Sequence, residues 1–511
     1  MKETFHLTPG GLALADLRRL TGGGMRLEIV PTAAPAIEAS AAAVAAIAGG
    51  AAAVYGINTG FGLLAKKRIA ANDLAELQRR IVLSHAAGTG DALPDPVVRL
   101  ILALKINALA RGHSGVRRSV IDALAALYNA DVLPVVPAKG SVGASGDLAP
   151  LAHLTAALIG EGAFRCDGAA IGKDQAFARA GIAPVVLGPK EGLALLNGTQ
   201  VSTALAAAGL FAIEDVLAAS VAAGALSVDA AAGSDAPFDP RIQAVRGHQG
   251  QSDVAAALRA LLAGSEIRAS HLVGDDRVQD PYSLRCQPQV VGAALDLVRF
   301  AAATIEREAN GVSDNPLVFA ADRAILSGGN FHAEPVAFAA DILAMALAEI
   351  GALSERRIAL LTDPAISTLP AFLVAEPGLN SGFMIAQVTA AALASENKSL
   401  AHPSSIDSLP TSANQEDHVS MATHAARRLG EMARNGADIV AIELLAAAQG
   451  VDLRRPLATS PALAAVMAEI RRRAAFLDRD RLMAPDIAAV RTLIETGWFR
   501  GRTPLALPSA A

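Results

Sequence analysis

The segment GSVGASGDLAP, residues 140 to 150, gathers glycines and hydroxyl side chains in one turn-forming stretch. No strong base lies inside it to activate either serine. A phosphate loop would need lysine after its last glycine, and Asp147 stands there instead, where it would repel phosphate. A nucleophile elbow needs glycine two residues after its serine, a place Asp147 also occupies. An ordinary glycine-rich connection is the plain alternative. The order Ala144-Ser145-Gly146 allows a different chemistry. Gly146 lacks a Cβ, so its amide nitrogen can close on the Ala144 carbonyl carbon to form a five-membered ring. Loss of the Ala144 oxygen as water and dehydration of Ser145 then leave an exocyclic methylene conjugated to an imidazolone. Asp147 is the nearest group to move protons for those eliminations. The product is a strong electrophile made from backbone, which no ordinary side chain supplies.

Other residues could complete such a site. Tyr55 is one of 3 tyrosines and sits between small residues and Gly56. Its phenol, with an ordinary pKa of about 10, becomes a general base only if nearby charge or hydrogen bonds lower that value. A structural tyrosine in a glycine loop is the alternative. Gln279, Tyr282 and Arg285 are spaced by three, so a helix there would project an amide, a phenol and a guanidinium from one side. Arg285 suits an amino-acid carboxylate through two parallel hydrogen bonds, in a stretch too short of other charge to favour a surface ion pair. A metal site drawn from His332, Glu334, Glu416, His418 and His424 lacks H-E-x-x-H and any compact ligand spacing, so no metal is expected.

The segment GSVGASGDLAPLAH resembles the signature of the aromatic amino acid ammonia-lyases, whose Ala-Ser-Gly tripeptide cyclises to 4-methylidene-imidazol-5-one (MIO). The resemblance runs over nearly the whole chain, through YGINTGFG (55–62), LLNGTQ (195–200), VQDPYSLRCQPQ (278–289), SGGNFHAEP (327–335) and TSANQEDHVSM (411–421). It implies an elongated, mainly α bundle of fumarase/aspartase-like architecture. It implies MIO formed from Ala144-Ser145-Gly146, with Asp147 supporting its formation and no diffusible cofactor. Tyr55 and Tyr282 are then catalytic, and Asn197, Gln279, Arg285 and Phe331 bind substrate or hold the ring. VLSHAAG, carrying Ser84 and His85, resembles the members that act on histidine. Phenylalanine users tend to carry Phe-Leu there, and tyrosine users His followed by an apolar residue or Gln. Glu416 agrees, because a phenyl ring would leave a buried carboxylate unsatisfied at a cost of about 1–3 kcal/mol or more. The implied reaction is elimination of ammonia from L-histidine to give trans-urocanate, the first step of histidine degradation. Capture of the substrate's amine and attack on its imidazole ring both remain open as routes. A tyrosine or phenylalanine lyase, or an aminomutase, is the rival reading. A homotetramer with sites shared between subunits is also implied.

The elements that must position these residues are mostly helical. NDLAELQRRIVLSHAAG (72–88) begins with a capping-box pattern, Asp73 and Glu76, and ends at Gly88. Long helices are expected across 291–310, 333–362 and 416–449. MRLEIV (25–30) and 315–329 read as short hairpin pieces. Polar, glycine-bearing segments interrupt the helices at 55–62, 140–153, 196–200, 279–287, 326–334 and 411–418, and function sits in such loops. The organisation expected is one cooperative unit. Residues 1–200 carry the Tyr55 and MIO loops, 201–450 form the long-helix bundle, and 451–511 form a helical end.

Composition narrows the class. The chain has 511 residues, 52% hydrophobic and 18% charged, with a net charge of −5 and no basic runs, which argues against nucleic acid as a partner. The apolar stretch 41–56 is mostly alanine and glycine. Other stretches are broken by charge at Glu214, Asp215, Asp341 and Glu349, so no membrane span is expected. The N-terminus has no apolar signal core, and the 2 cysteines, Cys166 and Cys286, form no C-x-x-C pair. A cytoplasmic, reducing location is expected.

Overall fold

The computed structural model describes residues 2–48, 50, 54–60, 69–275 and 277–510. Four long helices form its body: Gln200–Ala230, Gln287–Ala309, Glu334–Thr362 and Ala422–Leu453. Gln200–Ala230 lies at the centre and packs against the other three. It is apolar all round, as a helix enclosed on every side must be, and nearly all of its residues are buried. Small residues let the axes approach closely. A Cβ on Gly209 would lie 2.7 Å from the Leu429 Cβ on Ala422–Leu453.

By length and composition alone, 4 helices among the described residues reach what a membrane span needs, and Gln200–Ala230 is one of them. That differs from the sequence expectation, which counted uninterrupted residues. The charges that seemed to break this segment are held by the fold. Arg18 donates to Glu214 Oε2 at 2.7 Å and to Asp215 Oδ2 at 3.1 Å, and Arg500 donates to Asp215 Oδ1 at 2.8 Å. The apolar window of this helix is 89% buried inside the protein.

Strands are short, as expected, but one differs in kind. Met25–Ile29 pairs in parallel with Glu3–Leu7, from Glu3↔Met25 to Leu7↔Ile29. Parallel neighbours need a crossover rather than a hairpin, and helix Leu14–Thr21 provides it. The second piece is a hairpin, Leu317–Phe319 with Ala324–Leu326.

Two helix boundaries also move. The helix expected over 72–88 is Leu74–His85, preceded by a short 3-10 turn at Ala71–Asp73. Asp73 continues that turn with φ −99 and ψ −4, so its side chain caps nothing. Glu76 instead accepts from Arg80 Nε at 2.7 Å. Helix Ala422–Leu453 starts later than 416, after Met421 at φ 56, which leaves 411–421 free to form a loop beside the 140–147 segment. Its 32 residues extend about 48 Å at 1.5 Å per residue.

Candidate active site

The Ala144-Ser145-Gly146 tripeptide enters helix Leu148–Leu158 through Asp147. Gly146 has φ +73, and a Cβ there would stand 2.2 Å from the Gly198 carbonyl oxygen, so only glycine fits. Gly198 runs beside it as a parallel bridge and accepts from the Asp147 amide at 2.7 Å.

Asp147 is fully buried. Its Oδ1 accepts from Ser141 Oγ at 3.0 Å and Thr423 Oγ1 at 2.6 Å, and its Oδ2 accepts from Ser202 N at 2.7 Å and Oγ at 2.9 Å. One carboxylate thus ties the tripeptide to the starts of two long helices. The 420 segment adds Ser420 Oγ donating to Gly143 O at 2.9 Å and Met421 N donating to Val142 O at 2.8 Å.

Two groups meet Ser145 directly. Asn197 Nδ2 donates to the Ser145 carbonyl at 2.8 Å. Its Oδ1 is buried with no hydrogen-bond partner among the described residues. Ser145 Oγ donates to Glu416 Oε1 at 2.6 Å, across 271 residues of chain. The hydroxyl that lacked a base in its own loop therefore has a carboxylate from another. Thr411 Oγ1 at 2.7 Å and Ser412 Oγ at 3.0 Å occupy Glu416 Oε2. Burial pushes the Glu416 carboxyl up, but these three hydroxyl hydrogen bonds outweigh it and hold the pKa below the ordinary carboxylate value.

These residues share a cavity of about 1100 Å³ with Tyr55, His85, Leu193 and Phe331. His85, in the last turn of Leu74–His85, faces it with Nδ1 3.0 Å from Ser84 Oγ. Burial pulls its imidazole below the ordinary value, against the opposing charge of Glu416. His85 is therefore neutral near pH 7 and able both to donate and to accept. Within YGINTGFG, Phe61 and Gly62 lie outside the described residues.

The 279–287 segment is not brought to this cavity within one chain. The helix spans only Tyr282–Arg285, after Pro281, and Gln279 stays outside it on an exposed bend. Tyr282 is 70% exposed. Arg285 lies over its ring at 4.7 Å, so these two do share a face. Asp275, upstream, accepts from the Arg277 amide at 2.9 Å and contacts His271 at 3.1 Å, a turn-stabilising role; Asp276 lies outside the described residues.

The imidazoles of His332 and His418 stack at the cavity mouth with centroids 5.8 Å apart, and Glu334 Oε2 lies 3.9 Å from each. Glu416 is engaged as above, and His424 Nδ1 bonds Ser404 Oγ at 2.9 Å. Among the described residues no group of three or more His, Cys, Asp or Glu is arranged to hold a metal ion.

Sequence reasoning missed the supports: Ser141, Ser202 and Thr423 around Asp147, and Lys105 beneath Asn197. Lys105 interrupts the apolar run LILALKINALA, and a lone lysine inside an apolar helix is a signal for a buried partner.

Known proteins match this chain along its length. The aromatic amino acid lyase family model matches residues 12–472. A histidine ammonia-lyase of Rhodospirillum rubrum is 63% identical over 508 residues, 99% of each chain. The crystal structure of a histidine ammonia-lyase from Trypanosoma cruzi superposes with a TM-score of 0.91 at 39% identity, covering 98% of this chain and 95% of that one. A tyrosine aminomutase from Streptomyces globisporus superposes with a TM-score of 0.92 at 35% identity, covering 99% and 100%. The sequence motifs, the helical fold and these matches agree: the chain belongs to the aromatic amino acid lyase family.

Proposed function

We propose that the protein is an ammonia-lyase that converts L-histidine to trans-urocanate and ammonia, using MIO made from Ala144-Ser145-Gly146. The tripeptide fits that group: Gly146 has no room for a side chain, and the Ser145 carbonyl and hydroxyl each have a fixed partner. When formed, MIO supplies an electrophile strong enough to activate an amine or an aromatic ring.

The observation that carries the substrate assignment is the 2.6 Å contact between Ser145 Oγ and Glu416. Dehydration of Ser145 removes that donor and leaves Glu416 Oε1 with a vacant acceptor position facing the cavity. An imidazole N–H fills it; a phenyl ring cannot, and a half-buried carboxylate left short of donors is costly. His85 offers the same ring a second polar contact. The tyrosine aminomutase shares the fold equally well, so fold does not separate the readings; the polar pair speaks against a phenyl ring, while a phenol O–H would satisfy Glu416 as an imidazole N–H does. Relatives named histidine ammonia-lyase at 60 to 63% identity support the choice of histidine.

In the elimination a Cβ–H and the Cα–N bond break, a Cα–Cβ double bond forms, and ammonia departs. Tyr55, on the cavity wall, is the group proposed to take the β-proton. Asn197 Nδ2 steadies the Ser145 oxygen, and its unpartnered Oδ1, an acceptor, suits the substrate's amino group better than its carboxylate. Arg285 is proposed to bind that carboxylate, with Gln279 and Tyr282 beside it, in a cavity of a neighbouring copy. Their position outside this chain's own cavity and the exposure of Tyr282 support a homotetramer with shared sites. Exposed Phe338 and Met345 on Glu334–Thr362 and Ile385 on helix Met384–Leu400 supply apolar surface for such packing. Both cysteines are unpaired, which fits a reducing, cytoplasmic location. Product analysis after incubation with each aromatic amino acid tests the reading. Urocanate from histidine is expected; coumarate, cinnamate or a β-amino acid as the main product overturns it.

A further inference from the structure

Lys105 is a cation sealed beneath the site. It lies in the middle of helix Asp95–Ala110 and is 1% exposed. Its Nζ donates to Ala194 O at 2.9 Å and to Asn197 O at 2.7 Å. These carbonyls close the C-terminal end of the short helix Glu191–Leu196, where a cation is favoured by the helix dipole. No carboxylate accepts from it among the described residues. The nearby buried Lys190 takes Asp314, at 2.6 Å, for itself. A buried charge given only carbonyl partners is expensive if its work is packing alone, which a methionine would do as well.

The arrangement gives the charge a use. Asn197 holds Lys105 through its backbone carbonyl and Ser145 through its side-chain amide, at 2.7 and 2.8 Å. Cyclisation removes the Ala144 oxygen but keeps the Ser145 oxygen, which stays conjugated to the new methylidene. Electron density drawn toward the electrophile collects on that oxygen. We infer that Lys105 is a positioning residue for the elimination: it pins the Asn197 carbonyl so that the Asn197 amide meets the Ser145 oxygen, and its buried charge stabilises the negative charge that gathers there. This rests on the proposed origin of MIO and goes beyond it by assigning work to a residue outside the cavity.

The charge itself titrates in a useful range. Burial pulls the Lys105 ammonium down to about 7; Lys190 adds to that effect, and Asp314 and Asp147 oppose it. The charge is present below that value and lost above it. The other titrating groups are common to wild type and variant, so the ratio of their kcat values isolates Lys105.

The test uses the full-length enzyme and the variants K105M, which keeps length without charge or donor, and K105Q, which keeps a donor without charge. Intact mass and thermal melting come first. Both variants are expected to fold and to lose two waters as wild type does. For K105M, kcat should fall about 10-fold or more at pH 6 with KM within about threefold, and the wild-type to variant ratio should shrink as pH rises through 8. K105Q should lie between the two. If K105M does not fold, K105Q carries the same comparison. A ratio near one, or a deficit that stays constant with pH, overturns the inference; so does a variant that retains its waters while wild type loses them. Failure of the underlying reading is separate, because wild type itself would then keep both waters.

Discussion

Replacing Glu416 by glutamine probes the substrate assignment at its source. The substitution keeps shape but replaces one acceptor oxygen with an NH2 donor and removes the charge that histidine's ring would meet. Glu416 Oε2 is anchored by Thr411 and Ser412 at 2.7 and 3.0 Å, so the glutamine oxygen should take that place and its NH2 group should stand where Oε1 faced the cavity. A hydrogen bond to a charged group is worth about 1.5–3 kcal/mol. At about 1.4 kcal/mol per factor of ten, E416Q should lower kcat/KM for histidine by about 10- to 150-fold. In the matured site Ser145 no longer donates to the carboxyl but Thr411 and Ser412 still do, and an ordinary carboxylate is ionised throughout the neutral range. The loss should therefore be nearly constant from about pH 6 to 9. The assay follows urocanate by its ultraviolet absorbance, with tyrosine and phenylalanine as competing substrates, and intact mass confirms that the variant matures. Histidine should lose more than either competitor. A change below about threefold for histidine, in a fully matured variant, would refute the argument that Glu416 selects the ring.

Other expectations follow from the same geometry. G146A drives a Cβ to within 2.2 Å of the Gly198 carbonyl in a left-handed backbone, which costs about 1–2 kcal/mol before the clash is counted; the purified variant should melt lower and keep its waters by mass. R18M leaves Glu214 and Asp215 short of a partner inside the central bundle, where breaking a buried pair costs about 3–5 kcal/mol; melting should drop by several degrees, while kcat of the folded fraction stays near wild type. His85 is depressed by burial, so protonating it should reduce kcat/KM only as pH falls below about 6.5. H85Q should be less active at neutral pH, and the wild-type to variant ratio of kcat/KM should shrink below that pH, the substrate's own imidazole titrating alike for both.

What could be read from residues alone was the chemistry that is local in the chain. Cyclisation needs three consecutive residues, so Ala144-Ser145-Gly146 was legible. The long helices over 291–310, 333–362 and 416–449 were legible from apolar periodicity; Gln200–Ala230, buried on every side, offers no such periodicity and was not legible as one. Boundaries fixed by backbone geometry were not: Asp73 has the right side chain to cap but sits in a 3-10 turn, and Met421 gives no sign of the left-handed kink that delays its helix. Contacts across long separations were also hidden. Asp147 looked like a proton carrier from its place beside Gly146, yet its four hydrogen bonds come from Ser141, Ser202 and Thr423, which gives it the surroundings of an anchor. Tyr282 and Arg285 share a face, as their spacing suggested, but they do not line the cavity that holds Ser145 and Glu416.

The most direct test of the central claim is the intact mass of the purified, full-length chain beside that of S145A. Wild type should be lighter than its sequence by two waters, and S145A should not show this loss. A wild-type mass equal to that of the unmodified sequence would contradict it, since Ser145 would then have kept its hydroxyl and the cavity would hold no electrophile.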